Sequence, residues 1–101
     1  MDIPRLSVTE RLILDLLAGE EMFGLQLVEQ SKGALKRGTV YVTLGRMQDK
    51  GYVESWTEKQ TPGAIGLPRR LYRPTAYGLR VREAWTAAAR SLQRRPRLRH
   101  A

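Results

Sequence analysis

Residues 36–57 read KRGTVYVTLGRMQDKGYVESWT, and the period of the apolar residues changes half-way along. In the first part Val40, Leu44 and Met47 recur at spacings of four and three, which is one stripe of a helix over about residues 36–50. Gly51 follows where a left-handed residue ends a helix, and Lys50 stands at the negative helix end. Tyr52-Val53-Glu54-Ser55-Trp56-Thr57 is rich in β-branched and aromatic side chains and reads as a strand. By propensity the helix is poor, because it holds two valines, two threonines and two glycines. It therefore needs a tertiary core to support it.

Upstream, Ser7-Val8-Thr9-Glu10 has the pattern of a capping box, in which side chain and backbone close reciprocally over a helix start. Val8, Leu12, Ile13, Leu16 and Leu17 continue near the helical period, and Gly19 ends this first helix at about Ala18. Met22-Phe23-Gly24 is expected to open a second, shorter helix with Leu25, Leu27 and Val28 as its apolar members, ending near Ser31-Lys32-Gly33. Downstream, residues 61–68 read TPGAIGLP, which is loop chemistry with an apolar tip. Arg69-Arg70-Leu71-Tyr72-Arg73 reads as a return strand stopped by Pro74. Thr75 can cap a fourth helix reaching about Arg94, which Pro96 ends.

The expected architecture is thus mainly α with a small two-stranded β-wing: a winged helix-turn-helix plus a C-terminal dimerisation helix. Residues 1–74 would form the DNA-binding domain, residues 75–95 the dimerisation helix and residues 96–101 a basic tail. The 101-residue length suits a single modest core, and there are no internal repeats.

The net charge is +8 and unevenly spread. Residues 1–31 carry two basic and six acidic side chains, whereas residues 32–93 carry twelve basic and four acidic ones, so the arginine-rich tail does not account for the imbalance. One part of the molecule should present a positive field, which points to a polyanionic partner. The chain has no cysteine, hence no disulfide or thiolate metal site. No apolar run approaches the roughly 20 residues that span a bilayer. The start, Met1-Asp2-Ile3-Pro4-Arg5, lacks the basic and apolar stretches of a signal peptide, so a cytoplasmic protein is expected. Catalysis finds no support. His100 is the only histidine, Glu20-Glu21 read as solvated neighbours, and neither a phosphate-binding loop nor a dinucleotide motif is present. No cofactor or metal is implied.

The face of the third helix away from its apolar stripe offers Arg37, Thr39, Tyr41, Thr43 and Arg46. Guanidinium groups suit phosphate or guanine, hydroxyls suit phosphate, and a threonine methyl suits the thymine methyl. An ordinary solvated helix face would look similar. Arg69, Arg70 and Arg73 on the return strand, with Lys59 near the other arm, add a basic hairpin that can lie along a nucleic-acid backbone, or simply protect an edge strand. In the last helix Tyr77, Val81, Trp85, Ala88 and Leu92 are spaced 4, 4, 3 and 4, a narrow seam of the kind used between paired helices. Val81, Trp85, Ala88 and Leu92 are therefore the candidate dimer contacts, although the helix could also fold back on its own core. Trp85 could lie beside a flat aromatic ligand.

These stretches resemble the PadR-like transcriptional regulators. The likeness is carried by Phe23-Gly24-Leu25-Gln26-Leu27, by Gly38-Thr39-Val40-Tyr41-Val42-Thr43-Leu44-Gly45-Arg46-Met47, by Lys50-Gly51-Tyr52-Val53-Glu54-Ser55 and by Pro68-Arg69-Arg70-Leu71-Tyr72-Arg73-Pro74-Thr75-Ala76-Tyr77-Gly78. It covers about residues 6–92. Val42 stands where the family often has proline. The resemblance implies a homodimer joined through the C-terminal helix, which usually represses transcription. It implies that Thr39, Tyr41 and Thr43, with Arg69 and Arg70 of the wing, face double-stranded DNA. Some members bind small aromatic effectors near the dimer interface, which would give Trp85 a role. The expected function is sequence-specific DNA binding at a palindromic operator. The alternative is a winged-helix protein-interaction module whose arginine-rich surface meets an acidic partner.

Overall fold

In the computed structural model, which describes residues 4–59, 63 and 69–93, Ser7 starts the first helix in the manner its sequence suggests. The Ser7 Oγ accepts from the Glu10 N–H at 3.0 Å, and the Glu10 carboxylate accepts from the Ser7 N–H at 2.9 Å. Helix α1 runs over Val8–Gly19, α2 over Gly24–Gln30, α3 over Arg37–Asp49 and α4 over Ala76–Gln93. Strand β1 is Met22–Phe23, β2 is Val53–Thr57 and β3 is Arg70–Pro74. The expected end of the last helix at Arg94, the apolar wing tip at residues 61–68 apart from Gly63, and the tail at residues 96–101 lie outside the described residues.

The wing is not two-stranded. Met22 and Phe23, expected to open the second helix, pair with Tyr72 and Leu71 instead, giving a three-stranded antiparallel sheet in the order β1-β3-β2. Helix α2 therefore starts at Gly24, with the Phe23 N–H donating to Gln26 Oε1 at 2.8 Å. The pairing couples positions 50 residues apart, which local periodicity does not register.

Ile13, Leu14 and Leu17 of α1, Leu27 of α2, Leu35 before α3, Val40, Leu44 and Met47 of α3, and Tyr52, Val53 and Tyr72 of the sheet side close one core. The apolar stripe read in the third helix is its buried face. Gly51 takes φ +80°, the left-handed conformation expected at that stop.

Helix α4 is pinned at its start. Thr75 Oγ1 accepts from the Gly78 N–H at 2.9 Å and donates to the Gly51 carbonyl, while the Thr75 N–H donates to the Tyr52 carbonyl at 3.0 Å. Gly78 passes so close to Tyr52 that a Cβ there would lie 2.0 Å from its carbonyl oxygen. Further along, Val81 enters the core, Arg82 Nε donates to Asp15 Oδ1 at 2.8 Å, and Trp85 Nε1 donates to the Pro4 carbonyl at 2.6 Å. The first half of α4 is thus folded back on its own chain. Among the described residues no helix is long and apolar enough to cross a membrane.

Candidate nucleic-acid interface

With Val40, Leu44 and Met47 turned inward, the rest of α3 divides into three edges. Tyr41 is half exposed and leans on the start of α2, where a Cβ at Gly24 would come within 2.5 Å of the tyrosine ring. Glycine is what lets these two helices cross so closely. Thr39, Thr43 and Arg46 lie on the opposite edge and share a cleft of ≈360 Å³ with Ser7, Thr9, Glu10 and Lys50. Gly38, Val42 and Gly45 lie between the edges and point away from the core, as spacings of four and three on a helix require.

The two threonine hydroxyls are engaged locally. Thr39 Oγ1 donates to the Lys36 carbonyl at 3.2 Å, and Thr43 Oγ1 donates to the Thr39 carbonyl at 2.9 Å. What they present outward is acceptor lone pairs and methyl groups.

The helix also begins in an unusual electrostatic setting. Lys36 is its N-cap and supplies no side-chain cap, Arg37 follows, and the first turn holds no acid. Basic groups at the positive end of a helix dipole weaken the helix rather than support it. This arrangement costs stability within the monomer but concentrates positive charge where an anion would approach. Among the described residues neither Arg37 nor Arg46 makes a salt bridge.

Arg70 joins the wing to α3. Its Nη1 donates to Ser55 Oγ at 3.0 Å, and Ser55 Oγ in turn donates to Gln48 Oε1 on α3 at 2.8 Å. Arg69 stacks over the Phe23 ring at 4.3 Å and lies within 3.6 Å of Glu58. Together Phe23, Leu25, Tyr41, Arg69 and Arg70 line a second cleft, of ≈660 Å³, on the other side of α3. The third predicted wing arginine is placed differently. Arg73 pairs with Glu54, its cross-strand neighbour, and covers the Trp56 ring at 5.0 Å. Strand alternation puts it on the sheet face opposite Arg70 and Tyr72.

Lys50 was expected only to complement the helix end. Its Nζ makes a 2.9 Å ion pair with Glu10 Oε2, across 40 residues. Burial by itself would raise the Glu10 carboxyl, but the Ser7 N–H and the Lys50 ammonium outweigh it and hold the group below its usual range. Glu10 therefore stays ionised and fixes Lys50 at the mouth of the Thr43–Arg46 cleft. Burial pushes the Tyr72 phenol up more than nearby Arg70 draws it down.

Sequence reasoning missed the Gln48–Ser55–Arg70 chain and the Glu10–Lys50 pair, which have no local signal. It also passed over Val42, although the core stripe already placed that residue outward. Of the four predicted dimer contacts, Val81 is 3% exposed and serves its own core, Trp85 and Ala88 are half buried, and Leu92 is 86% exposed. Among the described residues no group of His, Asp or Glu side chains could hold a metal ion.

A family model for the PadR-like transcriptional regulators matches residues 13–84. No curated protein sequence matches the chain. Several solved structures are similar. A PadR family transcription regulator from Clostridium difficile R20291 is 25% identical, with a TM-score of 0.74, over 86% of this chain and 92% of the other. A PadR family regulator from Eggerthella lenta DSM 2243 is 27% identical, with a TM-score of 0.69, over 82% and 72%. Bacillus subtilis PadR, solved in complex with operator DNA, is 20% identical, with a TM-score of 0.72, over 96% and 54%, and supports the fold alone.

Proposed function

Since this chain belongs to the PadR-like family of transcriptional regulators, we propose that it binds double-stranded DNA at a palindromic operator as a homodimer and represses transcription by occluding a promoter. The observation that carries this reading is the setting of α3. It projects between two clefts that both bear basic side chains, with Arg46 and Lys50 on one side and Arg69 and Arg70 on the other. A helix seated in a major groove meets a phosphate strand on each side, so positive charge is needed on both.

In this reading Arg37, Arg46, Arg69 and Arg70 supply most of the affinity by displacing counterions from phosphates. Sequence choice comes from the side chains of α3 that reach base edges, Thr39, Tyr41 and Thr43 among them. Arg73, held by Glu54 on the far sheet face, contributes little. The division of labour is DNA reading by residues 1–74 and pairing by residues 75–95. Pairing rests on the second half of α4 and the exposed start of α1, where Ala88, Leu92 and Val8 leave apolar surface uncovered. A flat aromatic effector near Trp85 would have to meet its ring by displacing the Arg11 guanidinium, which lies over it at 5.8 Å, because the indole N–H is committed to the Pro4 carbonyl. In this reading the protein works in the cytoplasm.

The test is a footprint with the stoichiometry measured on the same duplex. Two protected half-sites on one face of the DNA, about 34 Å or a multiple apart, with two chains bound, are expected. A single protected segment with one chain bound would remove the dimer from the account. Uniform protection of any duplex would remove the operator and favour an acidic protein as the partner of this surface.

A further inference from the structure

Resting on the DNA-binding reading, we propose that Val42 is a specificity-determining residue, and that its isopropyl group selects thymine by contact with the 5-methyl group. Its position is fixed by the core. Val40, Leu44 and Met47 are fully buried, so Val42 stands on the outermost line of α3 and is 56% exposed. No fold requirement explains a valine there. A β-branched residue in a helix interior is a poorer helix former than alanine, and an exposed one gains no packing in return.

The neighbours make Val42 the foremost group. Gly38 and Gly45 lie four residues before and three after it, on the same line, and a Cβ at either would meet no atom within 4 Å. Neither adopts a positive φ. They therefore leave the valine standing above a low backbone on its own line, with the exposed Arg46 one turn further along on the neighbouring edge. On the two edges the threonine hydroxyl protons are committed and the tyrosine ring leans on a neighbouring helix. Thr39 and Thr43 give their hydroxyl protons to carbonyls of their own helix, and the Tyr41 ring rests against Gly24. The group that leads α3 outward is thus apolar. Among the base edges of the major groove the thymine methyl is the apolar partner, while the other groups are hydrogen-bond donors and acceptors. Opposing a polar edge with an isopropyl group would strip its water without replacing the hydrogen bonds. The outward line ends at Asp49, whose carboxylate is unsuited to a bed of phosphates. That confines the groove-facing part to the first turns of α3, as expected for a helix docked by its N-terminal half.

The experiment begins with a duplex enriched from a randomised library by the full-length protein. Each thymine is replaced in turn by deoxyuridine, which removes the 5-methyl group and keeps the base pairing. Binding is measured for the wild type and for Val42→Ala. One thymine per half-site should weaken wild-type binding about four-fold when demethylated, the worth of one buried methyl-sized group. Val42→Ala, which alters both chains of the dimer, should bind the thymine duplex about 16-fold less well and no longer distinguish it from the deoxyuridine duplex. Because alanine is the better helix former at this exposed site, the variant should fold, and its helical circular dichroism checks that. If every deoxyuridine position affects wild type and Val42→Ala equally, or none affects either, Val42 does not read thymine and the DNA-binding reading stands without it. If no duplex is enriched over the random pool, the DNA-binding reading falls first and takes this inference with it.

Discussion

Replacing Gly78 by alanine tests how α4 is seated. The added Cβ would lie 2.0 Å from the Tyr52 carbonyl oxygen, 2.8 Å from its carbonyl carbon and 3.1 Å from its Cα. All three atoms are backbone, at the corner where α3 passes through Gly51 into β2, and no rotamer change relieves them. Restoring ordinary contact requires α4 to back away by about 1 Å or more. That would break the Thr75 bonds to the Gly51 and Tyr52 carbonyls and loosen Val81 in the core. Overpacking of this kind costs about 3 kcal/mol. On a urea slope of about 1.5 kcal/mol/M, the unfolding midpoint should fall by about 2 M. Gly45→Ala is the control, because open space surrounds that position. It should raise stability by up to about 1 kcal/mol, the difference in helix propensity. Urea denaturation followed by circular dichroism reads both. A Gly78→Ala protein as stable as the wild type would mean that α4 does not meet the Tyr52 backbone as described. Gly45→Ala carries a second readout, since a methyl on the outward line of α3 should weaken DNA binding while it stabilises the fold.

Arg70→Ala should weaken binding to all duplexes alike and lower the slope of log affinity against log salt by about 2, one phosphate contact in each chain of the dimer, whereas Arg73→Ala should leave both nearly unchanged; a salt titration of each variant decides. Glu10→Ala should cost about 2 kcal/mol in urea unfolding at neutral pH, because it removes a charge-assisted bond to Lys50 and half of the capping box. The Glu10 carboxyl is held below its unfolded value, so its contribution is present above about pH 4.3 and is lost as the pH falls through the lower folded value. The stability gap between wild type and Glu10→Ala should therefore narrow below about pH 4.3, and a gap that widened on acidification would contradict the assignment. Leu92→Glu, at a residue 86% exposed within the chain, should leave monomer folding intact and shift the mass in sedimentation from two chains to one; an unchanged dimer would place the pairing surface elsewhere.

The elements legible in the sequence are those held by short-range patterns. The Ser7–Glu10 box, the Val40–Leu44–Met47 stripe, the Gly51 stop and the Thr75 cap each follow from a few neighbouring residues, and each stands in the structure as read. What the pattern could not carry is pairing over distance. Strand β1 is two residues long, too short for any period, and exists because Tyr72 and Leu71 lie beside it. Leu25 reads as an apolar member of the second helix but is 41% exposed. Arg73 looked equivalent to Arg69 and Arg70, but the cross-strand register that sets Glu54 opposite it diverts it. Val42 differs in kind: the stripe alone places it outward, and its apolar side chain carries no polar signal.

Whether α3 and the wing read a specific duplex is decided by competition. The purified protein is titrated on a library-enriched duplex and on a scrambled duplex of the same length at physiological salt. The enriched duplex should bind about 10³-fold tighter or more, with the advantage persisting as salt rises. Equal affinities that vanish together as salt is added would contradict it, and would reduce the basic face to a general attraction for polyanions.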